Sequence, residues 1–172
     1  MIYTKFKTIK CVVLDVDGVL TDGKILVTEE GHQLRTFHVK DGYAIQYAVK
    51  QGLTIVVITG AKSLGVKARF EGLGVKETYL GIHDKWSVLE EVMNRYQLAP
   101  TEVMFIGDDM PDYLCMQKVG VAVAPADAVE EIKAISHYVS RCKGGEGVVR
   151  EVLEKILKLQ GKWHNDIFVP SV

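Results

Sequence analysis

Residues 9–22, IKCVVLDVDGVLTD, decide how the rest of the chain is read. The run from Ile9 to Leu14 leads directly into two carboxylates, Asp15 and Asp17, and then Gly18. A short run of Val, Leu and Ile bounded by a turn residue predicts a strand buried on both faces, as in a parallel sheet. In an extended segment the side chains at i and i+2 point the same way, roughly 6–7 Å apart. Asp15 and Asp17 are therefore expected to face one crevice at the carboxyl end of that strand, where open α/β sheets bind ligands. Two close carboxylates repel each other, and such a pair persists with a cation, a shared proton or both.

Length and composition bound what surrounds this stretch. A chain of 172 residues fits one domain, 1–172, able to bury about 70% of its unfolded surface. It is 48% hydrophobic and 25% charged, which is ordinary for a globular protein. A net charge of −1 gives no electrostatic case for nucleic acid or an anionic membrane surface. No apolar run approaches the ~18 residues of a membrane span, and the N-terminus has no long apolar stretch of the signal-peptide kind. The three cysteines, Cys11, Cys115 and Cys142, lack metal-ligand spacing. Their odd number, without an export signal, predicts reduced thiols and a cytoplasmic protein.

Working along the chain, residues 1–8 read as a loose lead-in. Residues 23–40 read as two strand-like pieces around Glu29-Glu30-Gly31, a β-hairpin flap inserted where a crossover helix would normally begin. A helix follows from an N-cap at Asp41 to about Gln51. Further strands are expected at Leu53–Ile58, Glu77–Leu80, Val103–Ile106, Val121–Ala124 and near Tyr138. Helices are expected at 62–71, from an Asp84 cap to about Gln97, up to Lys118, after Asp127, and over Val148–Leu159. The tail, about 161–172, shows no helical period from Trp163 onward. Alternation of strand and helix predicts an α/β fold: a Rossmann-like three-layer domain with a mostly parallel central sheet and right-handed crossovers.

Three of these strands end in distinct polar chemistry: Asp15/Asp17, then Thr59-Gly60, then Asp108/Asp109, with Asp112 just beyond. Lys85 lies at a helix start between the last two. If the strands are parallel, these side chains converge on one edge of the sheet. Carboxylates, a hydroxyl and an ammonium are what metal-assisted phosphoryl transfer requires. Hard oxygen ligands select magnesium, a carboxylate can serve as nucleophile, and a hydroxyl and lysine can hold the phosphoryl oxygens.

In order and spacing, DVDGVLTD, ITG, Lys85 and GDDMPD resemble the four motifs of the haloacid dehalogenase superfamily of phosphatases. The hairpin, with no room for a cap domain, resembles the capless branch that includes phosphatases of 3-deoxy-D-manno-octulosonate 8-phosphate (KDO 8-phosphate). The segments FHVKDG (37–42) and GGEGVVRE (144–151) are similar to that branch as well. By that resemblance Asp15 is the nucleophile and Asp17 the general acid and base. Magnesium would be held by Asp15, the backbone carbonyl of Asp17 and Asp108, supported by Asp109 or Asp112. Thr59, Gly60 and Lys85 would hold the phosphoryl group. The resemblance implies a small-molecule sugar-acid phosphate as substrate, KDO 8-phosphate foremost, on the route to lipopolysaccharide. The presence of Asp17 argues against dehalogenation. A departure bears on specificity: Ala61 stands where many octulosonate phosphatases carry Arg and nine-carbon sugar-acid phosphatases carry Glu. Arg69, as a contact to a neighbouring subunit's substrate, and Arg150 are the candidates for a substrate carboxylate.

Other readings compete at single positions. Asp109 and Asp112 could simply favour the first turn of a helix, and Thr59-Gly60 could be a strand-to-turn break. GGEG could be a flexible lead into the last helix, or could approach an active site across subunits. The histidines share no spacing, and Trp86 and Trp163 read as packing residues. For the whole chain the rivals are a nine-carbon sugar-acid phosphatase and a catalytically idle assembly module. A receiver domain is excluded by order, because its phosphorylated Asp ends the third strand. A capless site has nothing of its own to exclude water, and Ile25, Leu26 and Val27 need cover. Both point to a ring-like homotetramer.

Overall fold

The computed structural model describes residues 2–163. Its centre is β1 (Cys11–Leu14), which pairs in parallel with β4 (Thr54–Ile58) on one side and β6 (Val103–Ile106) on the other. Beyond β4 lies β5 (Glu77–Tyr79); beyond β6 lie β7 (Val121–Ala124) and β8 (Tyr138–Val139), all parallel. The order β5-β4-β1-β6-β7-β8 is the doubly wound order. The chain runs outward from β1 through β4 and β5, then restarts at β6 on the other side. The reversal opens a crevice between β1 and β6 at the carboxyl ends of the strands.

Helices cover both faces because the central strands are apolar on both. Val12 and Leu14 face one core, shared with α1 (Ile2–Thr8), α2 (Val39–Lys50), α3 (Leu64–Gly72) and α7 (Val148–Leu159). Cys11 and Val13 face the other, built with α4 (Lys85–Tyr96), α5 (Tyr113–Lys118) and α6 (Glu130–Ile135). Each fully buried side chain of this size contributes about 1.5–3 kcal/mol.

Between β1 and α2 the chain makes the expected hairpin, shorter than the segment 23–40. Its strands β2 (Leu26–Val27) and β3 (Gln33–Leu34) pair antiparallel, with Leu26 opposite Leu34. The turn closes with the Gly31 N–H donating to the Thr28 carbonyl at 2.9 Å.

Two expectations fail locally. Residues 1–8 are not a loose lead-in: 2–8 form α1, anchored by the fully buried Phe6. A seven-residue helix with one buried side chain shows no period in sequence. The other failure concerns Asp41, which does not cap α2. The helix begins at Val39, and His38 Nδ1 accepts from the Lys40 N–H. Asp41 is buried within the first turn instead. The last helix covers 148–159 as expected. The tail expectation falls, beyond Trp163, outside the described residues.

Candidate active site

Each polar group at the crevice is fixed by the last residue of a strand or the first of a helix. Leu14 is in register with Val57 and Ile106, so Asp15, Thr59 and Asp108 emerge within two residues of one another across β1, β4 and β6. The Asp15 N–H continues the ladder to the Ile106 carbonyl at 3.1 Å, which fixes where its carboxylate leaves the sheet. Lys85 is the first residue of α4, whose N-cap is Asp84: Asp84 Oδ1 accepts from the Ser87 N–H at 3.1 Å. The cap sets the helix start and delivers the lysine side chain to the crevice.

There Lys85 Nζ donates to Asp15 Oδ1 at 2.6 Å and to Asp112 Oδ1 at 2.7 Å. All three side chains are buried. Asp112 Oδ2 accepts from the Asp108 N–H at 3.1 Å. Carboxyl oxygens of Asp15, Asp108 and Asp112 all lie within 4.8 Å of one another. Burial, with the Asp112 charge beside it, pushes Asp15 up to about 7 against the pull of Lys85. Burial and the Asp15 and Asp112 charges push Asp108 up to about 8. Asp112 is also raised, by burial foremost, with Lys85 opposing. Burial lowers the Lys85 ammonium, and the two carboxylates more than reverse that. One ammonium does not neutralise three converging carboxylates. A donor set of hard oxygens with excess negative charge fits a divalent cation such as magnesium.

Two glycines make this packing possible. Gly18 has φ +88°, and a Cβ there would lie 1.9 Å from Asp108 Oδ2. Gly144 presses on the same loop: a Cβ on it would lie 2.0 Å from the Gly18 carbonyl oxygen. The Gly145 N–H donates to the Val19 carbonyl at 3.0 Å. Gly144 and Gly145 of GGEG therefore back the aspartate loop of their own chain.

The crevice, about 490 Å³, is lined by Asp15, Asp17, Thr59, Lys85, Asp108 and Asp112, with Gly60, Ala61, His83 and Asp109 at its sides. Thr59 is buried, and its Oγ1 accepts from the Ala61 N–H at 3.1 Å. Asp109 is exposed and turns back to the Met110 N–H at 2.7 Å, capping a short 3-10 turn. Asp112, expected only in a supporting place, is the more deeply built of the two.

Arg69 and Arg150 do not line the crevice within one chain. Arg69 lies against Gly42, beside Phe37, His38 and Asp41. Arg150 Nε donates to Glu154 Oε2 at 2.7 Å, and its guanidinium sits 4.7 Å from the Trp163 ring. Trp163 packs on Tyr47, as a packing residue should.

Sequence reasoning missed Arg35. From the hairpin it makes a two-pronged contact with Asp17, Nε to Oδ1 at 2.7 Å and Nη2 to Oδ2 at 2.9 Å. A lone arginine in a flap has no pattern that would single it out.

Residues 81–152 match the family model described as haloacid dehalogenase-like hydrolase. A 3-deoxy-D-manno-octulosonate 8-phosphate phosphatase of Escherichia coli strain K12 is 38% identical over 161 residues, covering 94% of this chain and 86% of that protein. The crystal structure of the phosphatase of that name from Yersinia pestis matches with TM-score 0.91 at 38% identity, over 93% of this chain and 86% of that one. That from Moraxella catarrhalis, in complex with magnesium, phosphate and KDO, matches with TM-score 0.90 at 36% identity, over 93% and 92%.

Proposed function

The chain belongs to the haloacid dehalogenase-like hydrolases, and on that premise we propose that residues 1–172 act as one magnesium-dependent phosphatase unit hydrolysing KDO 8-phosphate to KDO and phosphate. The observation that carries this reading is the buried Asp15–Lys85–Asp112 group, joined by Asp108 at the β1/β6 crevice. Relatives of the same name cover most of the chain, and a structural neighbour binds magnesium, phosphate and KDO.

In this reading Asp15, Asp108 and the Asp17 backbone carbonyl hold magnesium, with Asp112 supporting. Bound there, the ion would supply charge neutralisation for the phosphoryl oxygens. Asp15 attacks phosphorus and forms an aspartyl phosphate as the sugar oxygen leaves. Asp17 gives that oxygen its proton, then takes one from the water that attacks the aspartyl phosphate. The products are the sugar acid, inorganic phosphate and regenerated Asp15. An ammonium has three N–H groups; two of Lys85's go to Asp15 and Asp112, and the third can reach a phosphoryl oxygen. The Thr59 hydroxyl, already an acceptor from the Ala61 N–H, can donate to another, beside the Gly60 backbone.

The pathway that follows from this substrate is lipopolysaccharide sugar synthesis, in the cytoplasm. Among the described residues no helix is long and apolar enough to cross a membrane. We take the assembly to be a homotetramer, in which Arg69, away from the crevice of its own chain, would serve a neighbour's site. Arg150, engaged with Glu154, would have to exchange partners to touch one.

Phosphate release from a panel of sugar-acid phosphates, with magnesium and with chelator, tests the proposal. Fast release from KDO 8-phosphate only with magnesium is expected, with Asp15→Asn lowering kcat by about 1000-fold or more. Preference for the nine-carbon 9-phosphate keeps the chemistry and replaces the substrate. No release from any of them overturns the reading in favour of an idle assembly module.

A further inference from the structure

The Arg35 side chain is only 4% exposed although the hairpin that carries it is solvent-facing. All three of its nitrogens are engaged: Nε and Nη2 with Asp17, and Nη1 with the Gln33 carbonyl at 3.3 Å. A buried guanidinium on a two-stranded flap is worth its desolvation only if its carboxylate partner stays in place. That partner is also a residue of the proposed reaction. Each carboxyl oxygen has a second lone pair, but the proton that Asp17 gives the leaving oxygen must sit on one of the two oxygens that Arg35 holds, and a protonated carboxyl gives up the charged part of that contact. The arginine and the substrate therefore compete for the same two atoms.

Arg35 also stands between two spaces. On one side is the carboxylate crevice, lined by Asp17. On the other is a cleft of about 760 Å³ between hairpin residues 31–37 and the N-terminus of α3. The charged and titratable side chains lining that cleft are His32, Arg35 and Lys62, with no carboxylate among them. Its basic lining suits an anion. At the position beside Thr59-Gly60, Ala61 brings no charge of its own.

We propose that Arg35 is a specificity-determining residue that exchanges carboxylates: its guanidinium passes from Asp17 to an anionic group of the substrate, freeing Asp17 as that anion takes its place. This rests on the phosphatase reading for the identity of the substrate. Recognition of the anion and release of Asp17 become one event, so a phosphate ester lacking a suitable second anion leaves Asp17 clamped. The apparent affinity for the anion is reduced by the fraction of molecules in which Arg35 is on Asp17.

Calorimetric titration of the magnesium-loaded protein with free KDO, and separately with inorganic phosphate, tests the exchange without relying on turnover. Asp17→Asn removes the competitor, and its KDO affinity is expected to rise about tenfold over the wild type. Arg35→Met should weaken binding by a similar factor, Arg35→Lys by less because it keeps the charge but not the fork. In the double variant the gain from Asp17→Asn should vanish. The same pattern seen with inorganic phosphate, and not with KDO, identifies the exchanged anion as the phosphoryl group rather than the sugar carboxylate. Equal affinity in all the proteins, or a gain in Asp17→Asn that persists without Arg35, overturns the proposal. With KDO 8-phosphate as substrate, the loss in Arg35→Met should fall on KM more than on kcat. A residue that merely props Asp17 would lower kcat and leave KM in place. Absence of turnover in the wild type would count against the phosphatase reading, and the binding titrations would still decide the role of Arg35.

Discussion

A single hydrogen atom at Gly18 decides how close Asp108 can come to the aspartate loop. Replacing it by a methyl group puts Cβ 1.9 Å from Asp108 Oδ2, and φ +88° is a conformation that other residues adopt only at a cost of about 1–2 kcal/mol. The Asp108 carboxylate can rotate away, so Gly18→Ala should fold but lose its grip on the ion. Magnesium affinity is expected to fall by about tenfold to a hundredfold, measured by titration of the chelator-treated protein. Unchanged affinity would mean that Asp108 does not bind the metal. Gly144→Ala differs in kind, because the atom it meets, the Gly18 carbonyl oxygen, is backbone and has no rotamer to escape into. At this scale the sequence reading found Asp15, Thr59, Lys85 and Asp108, because strand ends and helix starts are local features. It placed Asp112 in support of the metal but gave no sign of its bond to Lys85, since that bond spans 27 positions and leaves no trace in spacing.

Helix α7 begins without a side chain of its own to cap it: its N-cap is Gly147, with φ +101°. Asp41, on α2, does that work across the interface. Its Oδ1 accepts from the Arg150 N–H at 2.6 Å, while Oδ2 is buried and makes no well-formed hydrogen bond among the described residues. Burial pushes Asp41 up to about 6, against the Arg150 N–H and the charges of His38 and Arg150. Its ordinary value in the unfolded chain is near 4. The folded protein then holds a proton that the unfolded chain releases, so stability is highest below pH 4 as far as this group is concerned. It is lost as pH rises from about 4 to about 6, by about 3 kcal/mol in total. Asp41→Asn keeps an acceptor for the helix and should flatten that part of the stability curve, read from denaturant midpoints between pH 4 and pH 7. Asp41→Ala leaves the α7 N–H unpaired and should cost about 1–2 kcal/mol at pH 7. A slope unchanged in Asp41→Asn would assign the pH dependence to the active-site carboxylates. The sequence reading gave Asp41 to the wrong helix because an aspartate ahead of an apolar run fits an N-cap. Only the packing of α2 on α7 decides which amide it serves.

The surface of the whole molecule is uneven. Leu26 and Val27 of the hairpin are 66% and 61% exposed, with Leu34 beside them and Val39 and Leu64 also open to solvent. Contiguous apolar exposure of this kind marks a contact surface. Sedimentation of the wild type should give a tetramer, and Leu26→Asp with Val27→Asp should give a smaller species whose kcat/KM is lower by about tenfold. Neither residue lines the carboxylate crevice; because the same hairpin carries Arg35, a loss accompanied by unchanged KDO affinity would report assembly. A wild type that sediments as an active monomer would remove the tetramer and, with it, the route by which Arg69 could reach a substrate.

What the sequence determined by itself was the sheet and the chemistry along its edge. The runs that became β1, β4, β6 and β7 are apolar at every position but Thr54, the half-buried first residue of β4, and burial on both faces follows from that composition. Once those strands are parallel, their carboxyl ends must meet, which brings Asp15, Thr59 and Asp108 together. Tertiary structure alone decided the existence of α1, the cap that Asp41 lends to α7, the seating of GGEG on its own chain's aspartate loop, and the clasp of Arg35 on Asp17. The last three are contacts between single residues far apart along the chain, and α1 buries one side chain, Phe6, too few to show a period. Periodicity records which face of an element is buried; it carries no record of which partner a buried polar group will find there.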